Sequence, residues 1–260
     1  MTQHTENAPR AARNKLLAAL PDGERALIES NSTHVPLKRR EILYHPDRPM
    51  EHVYFIVDGI ASLLSLMTDG PGVETATVGR EGMLGMPVFH GVAATPEQAM
   101  VQMQGSALRM DVDTFRALLP QLPTLDTLLH RFSVVMFTLA AQNSGCNRRH
   151  SIEERCARWL LMVADRIDVP TMELTHDFVA QMLGVRRASV TETLGDLEKR
   201  GYIQTSRGRI RIVERDGLQR AACPCYAVIR GVVHRLLENG SPGLVSSSDG
   251  DGSRHTPSAG

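Results

Sequence analysis

The sequence predicts an α+β fold: an N-terminal antiparallel β-roll of jelly-roll type, one long helix, and a small C-terminal helical domain closed by a β-hairpin. Three observations predict it. Between about His34 and Met110, apolar residues alternate with period 2 in short runs separated by Gly/Pro turn signals. From Leu125 to Cys146 the period changes to about 3.5. Two short helical patterns then meet at Gly184 and lead into an alternating hairpin with a basic tip.

A chain of 260 residues is long enough for two domains, each with its own apolar core. Hydrophobic residues at 42% and charged residues at 22% place it with folded globular proteins rather than disordered or fibrous ones. The opening MTQHTENAPRAARNK has no apolar core of a signal peptide, and no later stretch approaches the roughly 20 apolar residues of a membrane span. No membrane partner and a cytoplasmic location are therefore expected. Cys146, Cys156, Cys223 and Cys225 are too sparse for a disulfide framework, so free thiols are expected. Net charge is zero, with 29 basic and 29 acidic residues, yet Arg186 to Arg211 holds seven basic residues (Arg186, Arg187, Lys199, Arg200, Arg207, Arg209, Arg211) against three acidic ones. That local excess favours a polyanionic partner.

Residues 1–13 and 239–260 are polar and rich in Gly, Ser, Pro and Thr, and are expected as disordered tails because they bury too little to offset ordering entropy. Asn14 to Ser30 reads as two short helical turns broken at Pro21-Asp22-Gly23. Strands are expected at His34–Leu37, Glu41–His45, Val53–Val57, Ile60–Leu66, Val73–Val78, Met100–Gln104 and Ala107–Met110. No helix among them is long enough for a parallel crossover, so residues 14–121 are expected to form an antiparallel sandwich, roll or barrel. Asp111–Leu119 is a short helix ended by Pro120 and Pro123.

The long helix is expected over 122–147, roughly 39 Å at 1.5 Å per residue. Leu125, Leu129, Phe132, Met136, Leu139, Asn143 and Cys146 step by 4 and 3 in turn, the a/d seam of a two-stranded coiled coil. On that reading Leu125, Leu129, Phe132, Met136 and Leu139 make a homodimer interface, and Asn143 fixes its register. Leu128 and Val135 widen the apolar face, which leaves open a helix buried against its own domain.

Ser151-Ile152-Glu153-Glu154 is a capping box opening a helix through Ile167 and a second domain over 148–238. Thr175 can cap a helix through Leu183, Gly184 supplies a sharp turn, and a second helix runs from Arg186 to Arg200 on Val190, Leu194 and Leu197. Two helices joined through a Gly-bearing turn make a helix-turn-helix. Tyr202-Ile203-Gln204-Thr205 and Ile210-Arg211-Ile212-Val213, alternating around Ser206-Arg207-Gly208-Arg209, make a wing suited to phosphate. Double-stranded DNA is the expected partner.

With these residues on the page, the chain resembles the Crp/Fnr transcription regulators from about Asn14 to Leu237. The segments carrying the resemblance are Glu41-Ile42-Leu43-Tyr44 leading through Asp47 to Val53-Tyr54-Phe55-Ile56-Val57-Asp58-Gly59, then Gly79-Arg80-Glu81-Gly82-Met83-Leu84-Gly85, the long helix, and Gly184-Val185-Arg186-Arg187-Ala188-Ser189-Val190-Thr191-Glu192-Thr193-Leu194. The resemblance implies a cyclic-nucleotide-binding-like roll over 14–121 as the sensor domain, dimerisation along the long helix, a palindromic DNA site and contact with RNA polymerase. It places Arg186, Arg187, Ala188, Ser189, Thr191 and Glu192 towards the major groove, with Arg187 as leading base reader, while Arg207 and Arg209 meet phosphate. An effector pocket is expected between roll and long helix, bordered by Gly82, Gly85, Met86 and Ala99. Where cyclic-nucleotide-binding members carry a ribose-binding Glu and a phosphate-binding Arg, this chain has Gly85-Met86-Pro87-Val88-Phe89 and Pro96-Glu97-Gln98-Ala99. Met86 cannot accept a ribose hydroxyl and Glu97 repels phosphate, which argues against cyclic AMP. The N-terminal Cys cluster of the iron–sulfur oxygen sensors is absent as well, so effector and cofactor stay unassigned.

The ten His residues show no H-x-H or H-E-x-x-H spacing, and neither a phosphate-binding G-x-x-x-x-G-K-[ST] loop nor a G-x-S-x-G elbow is present. A metal-dependent β-barrel enzyme therefore lacks its parts, and no enzyme activity is expected. A roll that only binds protein partners is the other alternative. Cys223-Pro224-Cys225 stands apart as a close pair of thiols, but by itself lacks the two further ligands of a structural zinc site, and no metal is expected.

Overall fold

The computed structural model describes residues 10–68 and 70–238. A 3₁₀ turn at Arg10–Arg13, α1 (Lys15–Ala18) and α2 (Asp22–Ser30) open the chain. Asn14 pins this segment: its buried side chain accepts from Leu17 N–H at 3.1 Å and donates to the carbonyls of Ile56 at 2.8 Å and Gly82 at 2.9 Å. The expected N-terminal tail is thus corrected at its inner end, where Ala11 is buried and Arg13 pairs with Asp58 at 2.9 Å. Its outer part, residues 1–9, and the expected tail at 239–260 lie outside the described residues.

One antiparallel sheet follows, made of β1 (Thr33–Leu37), β2 (Ile42–Tyr44), β3 (His52–Met67), β4 (Gly70–Val78), β5 (Met83–Leu84) and β6 (Glu97–Asp111). Its order is β1-β6-β3-β4, with β2 also on β6 and β5 on β3. The strands expected at Val53–Val57 and Ile60–Leu66 are one strand, β3, and those at Met100–Gln104 and Ala107–Met110 are one strand, β6. Asp58-Gly59 is a bulge rather than a reversal. The register shifts there, Gly59 sits at φ +85°, and a Cβ on the facing Gly105 would lie 2.1 Å from the Asp58 carbonyl oxygen. Two backbones in such close approach bend together, which curls the sheet into a roll without ending a strand.

Helix α3 (Met86–Phe89) starts from Gly85, held at φ +97°. Helix α4 (Val112–Leu118) is capped by the Asp111 carboxylate, which accepts from Asp113 N–H at 2.9 Å. The long helix α5 (Pro123–Arg149) has Pro in its first turn, where no N–H is missed, and the Glu24 carboxylate accepts from Thr124 and Leu125 N–H at 3.1 and 3.0 Å.

The assigned seam of this helix is corrected by the structure. Leu125, Leu129, Phe132 and Leu139 are at most 3% exposed because they pack on the roll of their own chain. Met136 is half-buried over a cavity in the roll, and Asn143 donates to the Thr75 carbonyl at 2.8 Å. The outward stripe is instead His130, Val134, Phe137 and Ala141, with Phe137 76% exposed. Its steps of 4, 3 and 4 match those of the inward stripe.

The C-terminal domain begins with α6 (Ile152–Ala164), whose capping box is formed by Ser151 and Glu154. It ends three residues short of Ile167, where Arg166 turns to Glu81 on the roll at 2.7 Å. Helix α7 (His176–Leu183) is capped by Thr175 and ended by Gly184 at φ +62°, and α8 (Arg187–Lys199) follows. Strand β7 (Thr171–Met172) pairs with β9 (Arg209–Ile212), which pairs with β8 (Ile203–Ser206), so the wing has three strands rather than two. Helices α9 (Arg215–Ala221) and α10 (Cys225–Val233) and a π turn at His234–Glu238 end the described chain.

The two domains are docked. Buried Trp159 of α6 donates its indole N–H to the Glu74 carboxyl of β4 at 2.8 Å. Arg80 reaches Asp168 at 2.7 Å, and Gly184 lies against Val73. Burial raises the Glu74 carboxyl to about 7, although hydrogen bonds from Ser62 and Trp159 oppose the rise. Ser62 Oγ donates to the Glu74 carboxyl at 2.7 Å and lies 2.9 Å from the Gln102 side-chain amide.

Candidate nucleic-acid interface and sensor cavity

Helix α8 is held from behind by Val190, Thr193, Leu194 and Leu197, so the opposite side is what solvent meets. Arg186, Arg187, Ala188, Thr191 and Glu192 are exposed on that side and Ser189 is half-buried. Arg186 and Arg187 sit at the helix start, where unpaired backbone N–H groups add positive potential. Arg187 rests on Asp177 of α7, Nε to carboxylate 3.4 Å, with both side chains about two-thirds exposed. A pair so open to water is weak and easily exchanged for another acceptor. Thr191 is engaged locally, bonding His176 Nδ1 at 2.9 Å and donating to the Arg187 carbonyl.

The wing tip holds Arg207, at φ +35°, and Arg209, both exposed. Arg209 pairs with Glu173 at 3.7 Å, and Arg39 of the roll reaches the same carboxylate at 4.0 Å. Among the described residues Arg186, Arg207 and Arg211 have no ion-pair partner, whereas Lys199 and Arg200 pair with Asp196 and Glu153. Asp177, Glu173 and His176 were not found from the sequence, since nothing in its periodicity says which charges meet.

Between roll and α5 lies a cavity of about 330 Å³. Of the expected border, Gly85 and Met86 line it and Gly82 and Ala99 do not. Gly82 is pressed under Phe132, whose ring would sit 2.1 Å from an added Cβ, and Ala99 is fully buried in β6. Met136, Tyr44, His90, Glu97 and Ser133 are among the other residues that line it, and among the described residues no Arg or Lys reaches it. Burial holds the Glu97 carboxyl above its ordinary range, with Thr75 opposing. His90 Nε2 lies 2.8 Å from the Ser133 hydroxyl, which donates to the Leu129 carbonyl and so ties the cavity wall to α5.

A roll with a cavity against the long helix, joined by that helix to a winged helix-turn-helix, defines a DNA-binding regulator as a class. Comparison with known proteins agrees. A family model described as "Cyclic nucleotide-binding domain" matches residues 34–121, and one described as "Crp-like helix-turn-helix domain" matches residues 154–221. The chain belongs to the Crp/Fnr family of DNA-binding transcription regulators. It is 23% identical over 188 residues to the global nitrogen regulator of Nostoc sp., covering 67% of this chain and 82% of that one. It is also 23% identical over 195 residues to the CRP-like cAMP-activated global transcriptional regulator of Mycobacterium tuberculosis, covering 72% of this chain and 87% of that one. The solved structure of FixK2 from Bradyrhizobium japonicum shares the fold, with a TM-score of 0.63 at 19% identity over 74% of this chain and 98% of that one. No described helix is long and apolar enough to cross a membrane.

Proposed function

We propose that the chain works as a homodimer on a palindromic DNA site, one α8 per half-site, and that a small molecule other than cyclic AMP occupies the roll cavity. The observation that supports it best is that Arg186 and Arg187 at the start of α8 and Arg207 and Arg209 on the wing are all exposed, with no core role for any of the four. Arg187 can trade its exposed pairing with Asp177 for guanine O6 and N7, and the wing arginines supply phosphate contacts. Two half-sites need two copies, and the apolar outward stripe of α5 around Val134 and Phe137 suits a second α5 in the isologous way of a two-fold dimer. A cavity with Met86 and a half-buried Glu97 and without a guanidinium gives a cyclic phosphate nothing to pair with. The activation by cyclic AMP named for the Mycobacterium relative is therefore not carried over to this chain. Contact with RNA polymerase, implied by the family resemblance, belongs to the same proposal.

The test is selection of bound fragments from a randomised duplex pool at two salt concentrations, with and without cyclic AMP. The expected outcome is an enriched inverted repeat, affinity that falls steeply with salt, and no response to cyclic AMP. Binding indifferent to salt would remove the DNA reading, because phosphate neutralisation imposes that dependence. Enrichment of a single unrepeated site would remove the dimer.

A further inference from the structure

The close thiol pair Cys223-Pro224-Cys225 is not alone. It lies between α9 and α10, against the end of α5, where Cys146 and His150, four residues apart, turn the same way. The four ligand atoms all lie within 4.8 Å of one another. Cys146 Sγ is 3.5 Å from Cys223 Sγ, and Cys225 Sγ is 3.6 Å from His150 Nδ1. In a tetrahedron with metal–sulfur bonds of about 2.3 Å and metal–nitrogen bonds of about 2.0 Å, the sulfur–sulfur edge is about 3.8 Å and the sulfur–nitrogen edge about 3.5 Å. Two of the six edges are therefore already close to those of a four-coordinate site, and the other four lie within 4.8 Å. An iron–sulfur cluster spreads its cysteines over several irons and needs them further apart.

We propose that Cys146, His150, Cys223 and Cys225 bind one divalent thiophilic cation, zinc first, in a site that fastens the end of α5 to the start of α10. The surroundings fit the charge. Three thiols give up three protons on binding a dication with a neutral imidazole, leaving one net negative charge, and no electron is transferred. Arg155 and Arg158 of α6 are buried within electrostatic range of Cys146 and Cys223, and the Nε of each has no hydrogen-bond partner. Neither guanidinium has a carboxylate at ion-pair distance among the described residues, so an anionic centre beside them supplies the missing counter-charge. Gln142 donates its amide N–H to Cys225 Sγ at 2.9 Å, the kind of outer hydrogen bond that orients and charges a ligating sulfur. The three cysteines form an apolar cluster apart from the main core, so water has little access to compete for the ion. All four ligands fall outside the two segments matched by the family models, 34–121 and 154–221.

The test loads reduced full-length protein, freed of metal by a chelator, with zinc or cobalt alone. One equivalent is expected to bind, to withhold zinc from a chromophoric chelator, and to give cobalt the intense absorption of a tetrahedral thiolate-ligated ion. Cys223→Ser should lower zinc affinity by more than about 100-fold, since even the outer partners of a metal ligand are worth 10–100-fold. Cys156→Ala, altering the buried cysteine outside the cluster, should bind as the parent does. An octahedral cobalt spectrum, or zinc surrendered at once by the reduced parent chain, overturns the site whether or not any variant folds. Iron with stoichiometric acid-labile sulfide overturns it in favour of a cluster. If the reduced protein ignores zinc and air joins Cys146 to Cys223, the group is a redox pair and the proposal fails.

Discussion

Arg187 and Arg209 have the same charge, similar exposure and one weak carboxylate partner each, so their difference lies in position alone. On the proposed reading, Arg187 starts the helix that enters a groove and Arg209 lies on a hairpin edge that meets backbone. The expected outcome for Arg187→Ala is relaxed preference at one base pair per half-site, worth about 1–3 kcal/mol of discrimination. Arg209→Ala should weaken all sequences alike and reduce the salt slope by about one. Competition binding on a randomised palindrome separates the two, and an unchanged base preference in Arg187→Ala would mean another residue reads the groove. Individual side chains were legible in the sequence where a local pattern names their task, as with Ser151 and Thr175 at helix starts. They were illegible where the task depends on a residue far along the chain. Cys223 and Cys225 looked short of ligands because Cys146 and His150 reach them only once α5 and α10 are packed together.

At the scale of elements, α5 is the instructive case. Its existence was plain from the 3.5-residue period, yet the partner of each face was not, because both the inward stripe through Phe132 and the outward one through Phe137 step by 3 and 4. Amphipathic spacing says that a face is buried without saying by what. The dimer interface is therefore tested on the outward stripe rather than on the inward one. Phe137→Glu is expected to leave the fold intact, since the side chain touches little of its own chain, and to yield monomers that lose palindrome binding. Sedimentation of the variant as a dimer would place the interface elsewhere. Gly59 and Gly105 teach the companion lesson for strands. A Gly-marked break predicts a reversal equally well as a bulge, and only the close approach of two distant backbones decides between them.

For the molecule as a whole, one of the contacts that dock the two domains is made by a titratable group. Glu74 has a folded-state value of about 7 against an ordinary 4.5, so between those values the folded chain binds more protons than the unfolded one. The stabilisation is complete below about 4.5 and is lost as pH rises through 7, by at most on the order of 3 kcal/mol. Urea unfolding at pH 5 and pH 8 should show that loss in the parent chain and a flatter profile in Glu74→Gln, which keeps an uncharged side chain between Ser62 and Trp159. An equal fall in both would assign the pH dependence to other groups.

The indole bonded to Glu74 belongs to the sole tryptophan of the chain. Trp159 is 3% exposed and lies at the seam between roll and DNA-binding domain. Its emission therefore comes from that seam alone, with no label needed and no second fluorophore of its kind to subtract. Separation of the domains would wet the ring and shift its light to the red. Ionisation of Glu74, by placing a full charge on the indole N–H, would move the spectrum while the ring stays dry, and iodide quenching would tell the two events apart. The junction that couples the two halves of this regulator is, in optical terms, already instrumented.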